Sequence, residues 1–307
     1  MTHVPVQCIT TDQWLCQYDH HLEHVTGVAV TTRKKYLYFA SKFLTAVGDS
    51  LSLDWSLIKA SQITAFVERE AASRLNHGRK DPAIAVRSLL RYLVTEGVVH
   101  AGLIAAVPVM RQVRLAALPR PLSGDEVERV LAACPSTPHG LRDFAIVLLL
   151  SRLGMRAGEV ARLSFDDIDW RQGHLVVRLS KAHRERILPL SQEVGEALVA
   201  YIRDARPKSS ERYLFLSHKD PHRALLNAPS ITHVVKRLLP KASIPARTGG
   251  AHLFRHAAAT QMVRRGATFK EVADVLGHKA LVTTTIYAKL DLATLSLIAL
   301  PCPGGDL

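Results

Sequence analysis

The side chains of this sequence that could do chemistry together lie in its second half. His252-Leu253-Phe254-Arg255 sets an imidazole and a guanidinium three residues apart, so on a helix they share a face while Leu253 and Phe254 turn elsewhere. Downstream come Leu276-Gly277-His278 and then Thr283-Thr284-Thr285-Ile286-Tyr287. Upstream stand Gly154-Met155-Arg156-Ala157-Gly158-Glu159 and Lys181. Guanidinium and ammonium groups hold phosphate oxygens, imidazoles move protons near neutral pH, and a phenol can act as a nucleophile. The set therefore has the ingredients of phosphoryl transfer. Each piece also has an ordinary reading: Tyr287 as a half-buried aromatic, Arg156 as a surface charge at a helix start, and His278 after Gly277 as a helix cap.

The elements that must position these residues follow from periodicity. Up to about residue 105, apolar residues recur every three or four positions in 31–47, 63–72 and 82–94, which predicts a small helical domain over 1–107. Within it, Thr26, Thr31 and Thr32 lead into Arg33, Lys34 and Lys35, a cationic turn suited either to phosphate contact or to a solvated helix face. The segment 108–121 carries three prolines with Arg111, Arg114 and Arg120, and reads as a basic linker that could lie along a DNA backbone or simply connect two domains. Ser123 followed three residues later by Glu126 is a capping box that opens a second domain, 122–307. Helices are expected at 125–134 and 141–153, and a hairpin from the β-rich runs 174–179 and 186–190, with Lys181 in the turn between them. A third strand is expected at 213–217, and helices return from Ser230. The predicted fold is mainly α with a small antiparallel β-sheet, in two domains.

Composition narrows the partners. Forty Lys and Arg against twenty-seven Asp and Glu leave a net charge of +13, which favours a polyanion such as nucleic acid and salt-sensitive binding. The stretch 206–247 concentrates nine basic residues with only Glu211 and Asp220 as acids, and reads as part of a DNA-facing surface or as a solvated loop. The longest strictly apolar run, Phe144 to Leu150, is far short of the roughly 18 to 20 residues of a spanning helix, and no secretory leader is apparent, so a cytoplasmic, nucleoid-associated protein without membrane contact is expected. Cys8, Cys16, Cys134 and Cys302 are scattered, which implies neither a disulfide framework nor a zinc site.

The order Arg156, Lys181, His252-x-x-Arg255, Leu276-Gly277-His278, Tyr287 resembles that of the tyrosine recombinases, the phage integrases and Xer-type recombinases. The resemblance implies a helical core-binding domain and an α/β catalytic domain that embrace one duplex. It implies that Tyr287 attacks a DNA phosphate to form a 3′-phosphotyrosyl bond, that Arg156 and Arg255 hold the phosphate oxygens, and that Lys181 protonates the leaving 5′-oxygen. His252 would assist proton movement, His278 would hydrogen-bond the phosphate, and Glu159 would orient these groups from behind. No metal and no ATP are implied, because guanidinium charge stands in for metal ions and the covalent bond conserves the phosphodiester's energy. The implied partners are double-stranded DNA at specific sites, a homotetramer acting through a Holliday junction, and accessory proteins, in integration, excision, resolution or transposition. Two readings stand beside it: a type IB topoisomerase-like enzyme, and a catalytically inactive DNA-binding accessory protein. The sequence departs from the family where glycines commonly flank the lysine, here Ser180 and Ala182, and where Ala251 replaces a common Thr. The apolar tail at 290–300 is expected to pack on a neighbouring protomer or within its own chain.

Overall fold

Helices with one apolar stripe build the first half of the chain, and a helix apolar on every side centres the second. A computed structural model describes residues 10–48, 55–74, 78–110, 121–178, 185–245 and 250–277. The chain divides into two compact units, Met1–Ala117 and Leu118–Leu307.

In the first unit, α1 (Thr11–His20) is opened by a capping box between Thr10 and Gln13 and runs into a π-helical turn, His21–Val25. It packs on α2 (Val30–Val47), which packs in turn on α4 (Asp81–Thr95), with α3 (Ala60–Ala72) laid against α4. The stripe predicted for α2 closes over the core through Phe39, Ala40, Phe43 and Leu44. Facing it are Val86, Leu89, Leu90 and Leu93 of α4. Each fully buried Phe or Leu of this kind contributes about 1.5–3 kcal/mol relative to an exposed one. Trp14 meets Trp55 and Tyr92 edge-on, filling the end of the core with rings.

In the second unit, Ser123 and Glu126 make the predicted capping box: the Glu126 amide donates to Ser123 Oγ and the Ser123 amide to the Glu126 carboxylate. This starts α5 (Gly124–Ala132). The helix α6 (Pro138–Ser151) contains the apolar run 144–150, and six consecutive side chains from Ala145 to Leu150 are shut off from solvent. A helix apolar all round must be surrounded. It is covered by α5, the short α7 (Ala157–Ala161), α8 (Gln192–Asp204), α9 (Ala228–Lys241) and α10 (His252–Arg264). The helix α11 (Phe269–Leu276) follows α10 and packs on it.

The sheet is antiparallel in the order β1 (Ile168–Asp169), β2 (His174–Val177), β3 (Arg186–Pro189), with Leu175 opposite Leu188 and Val177 opposite Arg186. The third strand is thus not the expected 213–217. There the chain makes isolated bridges, Tyr213 to Ser164 and Leu216 to Ala224. Leu214, Phe215 and Leu216 are all fully buried in succession, so the segment threads the core and has no alternating face to lay on a sheet.

Candidate active site

Arg156 sits at the N-cap of α7, where its backbone is still extended, after a turn that Gly154 makes with φ of +61°. A Cβ on Gly154 would also lie 2.5 Å from Leu276 Cδ2, so both the backbone conformation and the close approach of α11 require glycine. The capping residue three positions on is Glu159, which is buried. It accepts from the Arg156 amide at 2.8 Å and from Arg156 Nη1 at 2.8 Å. Arg156 Nη2 donates to the Gly277 carbonyl at 2.9 Å.

Arg255, on the first turn of α10, is buried and donates to the carbonyl oxygens of Gly154 and Leu276. The two arginines therefore meet at the C-terminus of α11, whose last carbonyls have no partner inside the helix and carry the negative end of its dipole. Gly277 ends that helix in the left-handed conformation, with φ of +63°. Two guanidiniums, Arg156 from 121 residues before Gly277 and Arg255 from 21 residues before Leu276, thus anchor the corner that leads directly into His278.

His252 opens α10 and is exposed, whereas Leu253, Phe254 and Arg255 behind it are all buried. His252 thus stands at the rim, partly open to solvent, with the Arg255 guanidinium inside and near enough to act on it. The His252 pKa is lowered, first by desolvation of the ring among its neighbours and then by the Arg255 and Arg156 charges. That shift favours the neutral ring. One turn on, His256 is pushed down to about 4 by desolvation and by the charges of His252 and Arg255.

One contributor was missed. The sequence gives no role to Arg186, the first residue of β3, whose permanently charged guanidinium cannot readily donate a proton. In the fold it grips Glu159, with Nη1 to Oε1 at 3.1 Å and Nη2 to Oε2 at 2.7 Å. Burial alone would raise the Glu159 pKa, but the hydrogen bonds and charge of Arg186, with those of Arg156, hold it below the ordinary carboxylate value. The carboxylate is ionised and serves two cations. Nothing in a single sequence pairs residues 159 and 186.

The structure thus brings together Arg156, Glu159, His252 and Arg255. Lys181, His278 and Tyr287 lie outside the described residues, as do Arg111, Arg114 and the tail at 290–300. In the first unit, Arg33 is held by Asp19 and Glu23, and Lys35 by Asp81 at 2.9 Å. Lys34 between them is exposed and has no ion pair among the described residues. In the basic stretch 206–247, Arg206 donates to the carbonyls of Glu211, Tyr213 and Leu214, Arg237 pairs with buried Asp143, and Arg212 with Asp166. Part of that charge therefore holds the fold together.

Known proteins resemble this chain along most of its length. The profile of the phage integrase family matches residues 120–293. A putative integrase/recombinase, y4rA, of Sinorhizobium fredii (strain NBRC 101917 / NGR234) is 38% identical over 295 residues, 95% of this chain and 71% of the relative. The tyrosine recombinase XerA of Thermococcus onnurineus (strain NA1) is 26% identical over 274 residues, 89% of each chain. Among solved structures, a lambda integrase tetramer bound to a Holliday junction superposes with a TM-score of 0.69 at 18% identity, over 94% of this chain and 81% of that one.

Proposed function

The chain belongs to the phage integrase family, and on that premise we propose that it is a tyrosine-type site-specific DNA recombinase that cuts and rejoins strands without metal or ATP. The observation that carries this reading is the convergence of Arg156 and Arg255 on the C-terminal carbonyls of α11, beside His252 at the start of α10 and directly before His278. Two guanidiniums fixed by backbone carbonyls cost little reorganisation when a phosphate arrives, which is the condition for electrostatic stabilisation of a pentavalent transition state.

In the proposed reaction, the Tyr287 oxygen forms a bond to phosphorus while the bond to the 5′-oxygen breaks, leaving a 3′-phosphotyrosyl enzyme and a free 5′-hydroxyl. Arg156 and Arg255 neutralise the non-bridging oxygens, and His278 hydrogen-bonds to them. Lys181 supplies the proton to the leaving oxygen, a task suited to an ammonium whose pKa can be tuned. His252 takes part in moving the phenol's proton. An unperturbed phenol titrates near about 10, so the surrounding cations must lower that value. Attack by a 5′-hydroxyl from another strand reverses the step. The lambda integrase tetramer on a Holliday junction supports the further proposal that four protomers of this chain pair two duplexes. The domain roles proposed are a DNA-binding helical unit over 1–107, a basic linker at 108–121 with Arg111 and Arg114 near the backbone, and a catalytic unit over 122–307. Lys34 is the best placed of the cationic turn to meet a phosphate, since Arg33 and Lys35 already hold carboxylates.

The test is covalent trapping on nicked duplexes tiled across the DNA that flanks the protein's own gene. Wild type becomes attached through Tyr287, and Tyr287→Phe forms no adduct while binding the same DNA with unchanged affinity. Loss of binding by Tyr287→Phe would make the residue structural. Relaxation of a supercoiled plasmid lacking any target site would place the chain with the topoisomerase chemistry instead.

A further inference from the structure

The reaction above gives Arg186 nothing to do, although its side chain is largely buried against Glu159. Both its terminal nitrogens bind Glu159, the carboxylate that also receives Arg156. A Cβ on Gly277 would lie 2.7 Å from Arg186 Nη1, so the guanidinium also fills the space left by that glycine. One carboxylate thus gathers the start of β3, the cap of α7 and the corner after α11.

We propose that Arg186 is a positioning residue for phosphate binding, setting how Arg156 presents its guanidinium by sharing the Glu159 carboxylate with it. The proposal rests on the recombinase reading. Its logic is charge balance. Glu159 bears one negative charge, and with both arginines engaged the cluster is left with one positive charge to offer a phosphate. Without Arg186, Arg156 becomes the sole counterion of a buried carboxylate among the described residues, and its guanidinium is drawn into a neutral pair with little attraction left for an incoming anion. With Arg186 present, Arg156 spends Nη1 on Glu159 and Nη2 on Gly277, and among the described residues no other side chain or carbonyl takes its remaining donors. A purely stabilising salt bridge is the alternative, and a buried pair of that sort often contributes little to stability.

The test compares Arg186→Met, similar in length and uncharged, with wild type on two substrates. Wild type is first attached to the tiled flanking duplexes to locate the scissile phosphate. That sequence is then made with an ordinary phosphate, and again with a methylphosphonate at the scissile position, where a methyl group replaces one non-bridging oxygen and leaves no negative charge for Arg156 to meet. Adduct formation by Arg186→Met on the phosphate is expected to be slower by about 10- to 100-fold, the scale of a misplaced charge-stabilising donor. On the methylphosphonate, the gap from wild type closes to within about threefold, because the misplaced charge no longer matters. Equal slowing on both substrates, or no slowing on either, overturns the positioning role. If Arg186→Met does not fold by circular dichroism, Arg186→Lys is read in the same comparison, where retained charge with single-point contact predicts a smaller phosphate-specific defect. Failure of wild type to attach to any duplex would instead remove the recombinase reading itself.

Discussion

Gly154→Ala tests whether the close approach of α7's entry turn to α11 is real. Two costs add at this position. A φ of +61° places an alanine in the left-handed region, at about 1–2 kcal/mol. The new methyl would also stand 2.5 Å from Leu276 Cδ2 and 3.5 Å from the Ala258 Cβ. Leu276 is fully buried with Val272 and Ala259, so it cannot step aside, and overpacking of this kind costs about 1–3 kcal/mol more. The sum is about 2–5 kcal/mol. Gly173→Ala is the control: its φ is +63° and nothing lies within 4 Å of its Cβ, so it should lose the backbone share alone. Chemical denaturation of the two variants reads the difference. Because the Gly154 carbonyl receives Arg255, Gly154→Ala should also slow adduct formation, by about a hundredfold for a displacement near 1 Å, while Gly173→Ala should not. If both variants lose the same stability, the steric half of the argument is wrong. If Gly154→Ala cleaves at the wild-type rate, so is the placement of Arg255.

Protonation offers a second check. His256 is lowered to about 4 in the folded chain against about 6.5 when unfolded, so its neutral form contributes stability that is complete above pH 6.5 and lost as pH falls toward 4. Denaturation midpoints followed from pH 7 to pH 4 should fall, and His256→Asn should flatten that slope; an unchanged slope would refute the burial argument. In the first unit, Lys34→Ala should weaken DNA binding and reduce the dependence of log affinity on log salt by about one, the signature of one lost phosphate contact. Arg33→Ala, which removes a side chain bound to Asp19 and Glu23, should lower the melting temperature and leave the salt slope alone. The opposite pattern would exchange the roles of the two residues.

Local signals in the sequence were enough to place most elements. The stripe of α2, the capping box of Ser123 and Glu126, and the alternation of β2 each depend on residues within one or two turns of one another, and each appears where its spacing indicates. The third strand was not legible for the same reason. Ile168–Asp169 is too short to carry a period, and the β-rich 213–217 has no exposed face to alternate with a buried one.

The order of Arg156, Lys181, His252-x-x-Arg255, Leu276-Gly277-His278 and Tyr287 along the chain is enough to recognise the family, because residue types and spacing survive translation into a string. Their environment is not in that string. Arg156 meets Gly277 across 121 positions, Arg255 meets Gly154 across 101, and Arg186 meets Glu159 across 27. Such contacts exist only once α6 is enclosed and α10 and α11 are brought against the turn at Gly154. The same holds for Arg33, whose type suggests a free cation and whose neighbours make it a bridge between Asp19 and Glu23. Side-chain chemistry is local and readable, whereas the partner that satisfies or frees each charge is chosen by packing between segments far apart in the chain.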